Sequence, residues 1–170
     1  HELVFETDQI DEEVEKFVNE IFTSHPGKCE LSKIPTTKKQ HLQALDWAMK
    51  NMEFFGPYED AMSSKSRYLF HSKLAISVNL HRLSPQTIVD SALDVEAPIN
   101  SIEGFFRQLI WREYVKHVHD VTDGFRNLSV YDVEQNQPNF LNQNNPLPEA
   151  YWGAKTGFNC LDEVVDSVME

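Results

Sequence analysis

Residues 100–118 read NSIEGFFRQLIWREYVKHV and form the longest periodic stretch of the sequence. Apolar side chains recur there at the spacing of three and four residues that places them on one face of an α-helix. Asn100, two residues after Pro98, is a typical N-cap, and Glu103 follows it three residues later. The spacing predicts a long helix whose buried face carries Ile102, Phe106, Leu109, Ile110 and Val118.

Stretches on both sides of this segment have the same periodicity. Thr37 and Gln40 are spaced as a capping box, and Ser84 followed by Pro85 is typical of another helix start. Residues 54–57, FFGP, are expected to end a helix and turn the chain. The helix before that turn is expected to bury Leu42, Leu45, Met49 and Met52. The predicted shorter helices cover approximately residues 10–22, 37–52, 67–80, 84–93 and 161–168.

Strand-like alternation is scarce in the sequence, so we expect an all-α fold of six or seven helices in an irregular, non-repeating bundle. A length of 170 residues suits a single domain, 1–170. Within it, residues 1–34 are expected to form an acidic lead-in helix and linker, and residues 134–149 a long polar loop. The helix at 161–168 has no C-terminal cap, so we expect the sequence to be a fragment of a longer protein.

The net charge of −12 argues against a nucleic-acid partner, but the charge is unevenly distributed. Nine acids and two lysines lie in residues 1–30, whereas residues 63–82 contain four basic residues and no acid. That basic stretch is either an anion site or a solvated surface. Apolar runs are too short to cross a bilayer, and the N-terminus lacks the features of a signal peptide. The two cysteines, Cys29 and Cys160, favour a reducing cytoplasm.

The helix at 100–118 carries a polar and aromatic group that core burial does not explain. Phe105, Gln108 and Arg112 fall on one face, with Trp111 beside them. An aromatic ring, an amide and a guanidinium together can stack on a planar heterocycle and bind its polar edge or a phosphate. The alternative is a solvated Gln and Arg with Phe105 half buried.

A second candidate is the segment 71–75, HSKLA, within the basic stretch. Its imidazole, hydroxyl and ammonium groups near a helix start can bind a diphosphate, although the same residue types are common at ordinary helix starts. The sequence contains no P-loop, no glycine-rich dinucleotide motif and no HExxH zinc motif. His117 and His119 do not share a helical face, which argues against a metal there.

Three segments together resemble the flavin-binding helical domain of the photolyase and cryptochrome family. Residues 108–114, QLIWREY, resemble the family motif E-L-I-W-R-E-F, and residues 71–85 are similar to its phosphate-binding segment. Residues 152–158, WGAKTGF, are similar to its W-x-x-G-K-T-G-Y element. Residues 56–62 and 156–161 resemble the iron–sulfur bacterial cryptochromes and (6-4) photolyases most closely. His81 stands where the family has glycine.

The resemblance implies part of a photolyase-type FAD-binding domain, and it assigns roles to individual residues. Trp111 and Gln108 would face the DNA lesion, and Cys160 would be one of four ligands to a [4Fe–4S] cluster in the parent protein. That cluster is not expected in this chain alone, and no catalytic residue is assigned. FAD would contact Tyr58, His71, Ser72, Lys73, Leu74, Ala75, Phe105, Gln108 and Arg112.

The family's activity gives the leading hypothesis for the parent protein: light-dependent repair of UV-induced pyrimidine dimers in DNA by electron transfer from reduced FAD. One alternative is a blue-light photosensory cryptochrome without repair. Another is a helical interaction module that binds no flavin as it stands, and the chain by itself is expected to be inactive. The flavin hypothesis requires that residues 71–75 and the Gln108–Arg112 face meet at one cleft.

Overall fold

The computed structural model describes residues 3–63, 65–66, 68–122, 146, 148–153 and 155–169. All regular elements in these ranges are helical, which confirms the predicted all-α fold. Within the same ranges, no helix is long and apolar enough to cross a membrane. Short 3-10 turns lie at Leu31–Lys33 and Glu149–Trp152. The α-helices are α1 (Gln9–Ile21), α2 (Lys38–Lys50), α3 (Met52–Tyr58), α4 (Ala75–Asn79), α5 (Pro85–Leu93), α6 (Ile99–Val121) and α7 (Asn159–Met169).

The chain divides into two compact units. Unit 1 comprises His1–Glu6 and Leu31–Val130, and unit 2 comprises Thr7–Glu30 and Tyr131–Glu170. The expectation of a single domain stays a prediction. The polar loop expected at 134–149 lies mostly outside the described residues, since only 146, 148 and 149 are described.

Helix α2 begins as its sequence predicts. The Thr37 hydroxyl accepts from the backbone N–H of Gln40, and the Gln40 side chain accepts from the backbone N–H of Thr37. Gln40 also donates to the Glu6 carbonyl at 2.8 Å. Leu45, Met49 and Met52 are buried as predicted, but Leu42 is exposed. His41 occupies the core instead, where a hydrogen bond to Ser77 satisfies its ring.

The prediction that residues 54–57 end a helix and turn the chain is wrong, because they lie within α3. Proline lacks an N–H, so Pro57 leaves the carbonyl of Glu53 without its usual intrahelical donor. The buried Ser101 hydroxyl on α6 donates to that carbonyl at 3.1 Å and accepts from the Gly56 N–H at 2.9 Å. A serine from a neighbouring helix therefore supplies the donor that the proline lacks, and it also accepts from a second backbone group of α3.

The helix predicted over 67–80 is reduced to α4, Ala75–Asn79. Leu69 and Lys73 adopt left-handed backbone angles, with φ of 43° and 57°, which end any helix at those points. His81, with φ of 54°, closes the other end of α4. There the N–H of Arg82 donates to the carbonyl of Ser77, and the N–H of His81 donates to the carbonyl of Val78. This pair of hydrogen bonds is the Schellman motif.

Helix α6 begins at Ile99, with Pro98 as its N-cap and no side-chain cap, so the predicted Asn100 cap is wrong. Its most buried residues are Ser101, Gly104 and Phe105, because α3 packs on that face. Ile102, Phe106 and Leu109 are partly buried against the core as expected. Ile110, predicted to be buried, is 68% exposed.

Candidate functional site

A cavity of about 620 Å³ lies in unit 1, bounded by α3, α4, α6 and the segment that precedes α4. Its volume is within the range of roughly 300–1,000 Å³ that is typical of small-molecule and cofactor sites. The lining residues are Phe55, Glu59, Asp60, His71, Ser72, Lys73, Leu74, Ala75, Val78, Asn79, Phe105, Gln108, Leu109 and Arg112. Eight of the nine residues that the resemblance assigns to FAD therefore line the same cavity.

Helix α6 supplies the aromatic and polar face that its periodicity predicted. Phe105, Gln108 and Arg112 all line the cavity, about one helical turn apart. Phe105 is only 3% exposed and packs edge-to-face on Phe55, with ring centroids 5.3 Å apart. Both rings are buried, so this side of the cavity is apolar, whereas Gln108 is exposed.

The guanidinium of Arg112 is held by two neighbours, and its Nε–H is a buried donor without a partner in the described part of the chain. Its Nη1 donates to Glu113 at 2.5 Å, and its Nη2 donates to the Asn79 side chain at 3.4 Å. Its Nε is buried and has no hydrogen-bond partner among the described residues. A buried N–H without a partner costs free energy, so an acceptor oxygen on a ligand would be favoured here.

The segment before α4 supplies the other side of the cavity. His71 Nε2 lies 3.2 Å from the Glu59 carbonyl, and because a carbonyl only accepts, this nitrogen carries the proton. Ser72 Oγ accepts from the Leu74 N–H at 3.4 Å. The ammonium of Lys73 lies 3.7 Å above the centre of the Tyr68 ring. The backbone of Lys73 is left-handed, which is a strained conformation of the kind that often occurs at binding sites.

The remaining predicted site residues do not line this cavity. Tyr58 packs on Phe70, with ring centroids 5.1 Å apart, and is partly exposed. Trp111 is 57% exposed on α6. Cys160 is an exposed free cysteine at the start of α7, in unit 2.

The metal donors of this chain do not make a cluster site by themselves. A [4Fe–4S] cluster takes four cysteine ligands, and the sequence contains two cysteines. Within the part of the chain that the structure describes, no group of three or more His, Cys, Asp or Glu side chains is placed to hold a metal ion.

Sequence reasoning missed the acidic residues of the cavity. Glu59 and Asp60 line it from the end of α3, opposite in sign to Lys73 and Arg112. Glu59 follows the segment that was expected to be a turn, and only the packing of α3 on α6 brings it to the site. The other unpredicted lining residues are Phe55, Val78, Asn79 and Leu109.

No protein-family model matches the chain. A (6-4) photolyase of Agrobacterium fabrum (strain C58 / ATCC 33970) is 30% identical over 173 residues, which cover 98% of this chain and 32% of that protein. An uncharacterised protein of Acanthamoeba polyphaga mimivirus is 28% identical over 118 residues, 66% of this chain and 84% of that protein. This chain therefore spans about a third of the length of the photolyase it matches, and the match supports a photolyase-related family.

Proposed function

We propose that this chain forms part of the flavin-binding region of a photolyase-related protein. The observation that carries the proposal is the convergence of residues 71–75 with Phe105, Gln108 and Arg112 on one cavity. Sequence similarity to a (6-4) photolyase over nearly the whole chain supports the same assignment independently.

The lining of the cavity fits the parts of FAD in chemical type. Phe55 and Phe105 offer an apolar wall for a planar ring system, and the Gln108 amide can hydrogen-bond its polar edge. Arg112 and Lys73 offer positive charge for phosphates, and the buried Nε of Arg112 has a donor to give. Ser72, with its hydroxyl on the cavity, adds a further hydrogen-bonding group.

For the parent protein we propose repair of UV-damaged DNA. Reduced FAD, when bound and excited by light, supplies an electron to a pyrimidine dimer that has been flipped out of the duplex. Trp111 and Gln108 are exposed on α6, as a surface that contacts a lesion must be. Cys160 would serve a [4Fe–4S] cluster only together with three cysteines from elsewhere in the parent.

Flavin binding by the chain is tested by titrating it with FAD and following the visible absorption and fluorescence of the flavin. We expect Arg112→Gln to weaken FAD binding about tenfold or more, because a charge-assisted hydrogen bond contributes about 1.5–3 kcal/mol. Lys116→Gln is the matched control. It removes the same charge one turn later on α6, at an exposed position outside the cavity.

Two results would contradict this part of the proposal. One is a wild-type chain whose spectrum and thermal stability do not change with added FAD, which leaves the interaction-module hypothesis. The other is an equal loss of affinity in both variants, which would indicate attraction by net charge rather than binding in the cavity.

Repair is tested on the proposed parent protein, by illuminating it with an oligonucleotide that carries a cyclobutane dimer or a (6-4) photoproduct. We expect light-dependent restoration of the bases in at least one substrate. A protein that is photoreduced but restores neither lesion would be a photosensor instead.

A further inference from the structure

Two buried polar atoms of the cavity residues have no hydrogen-bond partner among the described residues. One is Arg112 Nε, and the other is Oε2 of Glu59. Buried polar groups in folded proteins are almost always hydrogen-bonded, so each exception calls for a physical explanation. Arg112 is part of the proposed flavin site, whereas Glu59 has no role in it so far.

The Glu59 carboxylate is held by an ion pair on one side and lies against a glycine of α6 on the other. Oε1 accepts from Arg107 Nη2 at 3.0 Å, and the side chain is 17% exposed. Oε2 lies against Gly104 of α6, where a Cβ on that glycine would come within 2.7 Å of it. Anchored on one side only, the carboxylate keeps a free acceptor beside the cavity. Because Oε2 is buried against Gly104, it can accept from a ligand only after the carboxylate rotates, and the last torsion of a glutamate is broad enough to allow this.

The charges of the cavity determine which kind of donor fits there. Glu59 and Asp60 would repel a phosphate near them, so a neutral hydroxyl or N–H is the group that suits this end. Gly104, on which Glu59 packs, and Arg112 are eight residues apart on α6, or about 12 Å along the helix axis. The cavity therefore suits an elongated ligand with a neutral donor at one end and an acceptor or anion at the other.

We propose that Glu59 is a specificity-determining residue that binds a hydroxyl or N–H donor of the ligand in this cavity, with Arg107 positioning its carboxylate. This inference rests on the proposed flavin site. The flavin half of FAD, which riboflavin shares, offers the donor from two sources, the hydroxyls of its ribityl chain or the imide N–H of its ring.

The test measures the dissociation constants of FAD, riboflavin and lumiflavin for the wild-type chain and its variants. We expect Glu59→Gln to weaken the binding of FAD and of riboflavin about tenfold, because a hydrogen bond to an ionised acceptor is lost. Glu103→Gln is the matched control: it removes the other carboxylate bound to Arg107 from an exposed position outside the cavity, and should change affinity less than twofold.

Lumiflavin, which has a methyl group instead of the ribityl chain, identifies the donor. If Glu59 binds a ribityl hydroxyl, Glu59→Gln leaves lumiflavin binding unchanged. If Glu59 binds the ring N–H, Glu59→Gln weakens the binding of lumiflavin by the same factor as that of riboflavin. Both results support the proposal.

Glu59→Asp separates a direct contact from a general effect of charge, since it keeps the charge and shortens the side chain. We expect it to weaken FAD as strongly as Glu59→Gln does, with circular dichroism and thermal unfolding confirming that both variants fold. Wild-type affinity for FAD in either folded variant would overturn the role of Glu59 while leaving the flavin site intact. A wild-type chain that binds none of the three flavins would overturn the proposed function and this inference together.

Discussion

Single residues decide several local features of this fold, and Ser101 is the clearest case. Its hydroxyl satisfies both the Gly56 N–H and the Glu53 carbonyl that Pro57 leaves without a donor. We expect Ser101→Ala to lower the free energy of unfolding by about 1–3 kcal/mol, because two partly buried backbone groups of α3 lose their partner. Urea denaturation followed by tryptophan fluorescence measures the change.

Ser91→Ala is the control for Ser101. Ser91 also donates to a backbone carbonyl, that of Thr87, but from an α5 position with partial access to water. Its loss should cost less than about 0.5 kcal/mol. Equal effects of the two substitutions would show that the two hydrogen bonds of Ser101 to α3 contribute no more to stability than the single bond of Ser91.

His81 illustrates strain at a single residue. It occupies the left-handed position that ends α4, where glycine is the usual residue, and its side chain is exposed. We expect His81→Gly to stabilise the chain by about 1 kcal/mol, because a left-handed conformation costs a non-glycine residue roughly 1–2 kcal/mol. Thermal unfolding would show a higher midpoint.

Leu80→Gly provides the comparison for His81. Leu80 has an ordinary φ of −86°, so glycine relieves no strain there and should destabilise the chain. Stabilisation by both substitutions, or by neither, would contradict the explanation from backbone strain.

At the scale of elements, the contact between α3 and α6 shapes the cavity. Substitutions at two glycines in this contact test how closely the helices pack. A Cβ on Gly56 would lie 2.8 Å from the backbone nitrogen of Ser101, whereas a Cβ on Gly104 would meet only the Glu59 carboxylate. We expect Gly56→Ala to destabilise the chain by about 1–3 kcal/mol, because two helix backbones must move apart. Denaturation curves of both alanine variants measure the difference.

Gly104→Ala should be neutral or stabilising by up to about 1 kcal/mol, since alanine is the better helix former and a carboxylate can move. A tolerated Gly56→Ala together with a disruptive Gly104→Ala would mean that the two helices are packed differently.

The sequence predicted best the helices whose N-caps are formed by residues close to them in the chain. The Thr37–Gln40 box and the Ser84–Pro85 start are formed by neighbours in the chain, and both helices begin there. Helix α3 was missed because its proline is compensated by Ser101, which is 44 residues away along the chain. The helix predicted over 67–80 failed because Leu69 and Lys73 turn left-handed without the glycine that would signal it.

The same distinction between local and long-range causes applies to the cavity. The face of Phe105, Gln108 and Arg112 follows from helical spacing alone, and residues 71–75 were found by their imidazole, hydroxyl and ammonium groups within the basic stretch. Glu59 had no such signal, since its burial depends on a glycine 45 positions later that leaves room for a carboxylate. Predicting it required the helix packing as well as the sequence.

At the scale of the whole molecule, negative charge is concentrated in the two terminal segments of the sequence, which contain none of the residues that line the cavity. Residues 1–30 and 127–170 hold 16 of the 27 acids, whereas residues 31–126 carry nearly balanced charge. The residues that line the cavity therefore all belong to the part of the sequence whose net charge is close to zero.

The stability of the whole chain should depend on pH through His41. This side chain is 1% exposed, and its Nδ1 lies 2.9 Å from Ser77 Oγ. Burial and, to a smaller extent, the positive charge of Arg82 lower the pKa of His41 below its ordinary value of about 6.5. The folded chain therefore binds a proton here less readily than the unfolded chain, so stability is full above about pH 6.5 and falls as the pH decreases toward the folded-state pKa.

Comparing wild type with His41→Gln isolates this contribution from the six other histidines. Urea unfolding at pH 7.5, 6.5 and 5.5 should show that the wild type loses more stability on acidification than the variant, by at most about 1.4 kcal/mol per pH unit for one proton. His117→Gln, which removes an exposed histidine, should keep the wild-type dependence. Parallel curves for wild type and His41→Gln would mean that His41 takes up a proton as easily in the folded chain as in the unfolded one. The burial of His41 beside Ser77 would then not be the cause of the lower stability at acidic pH.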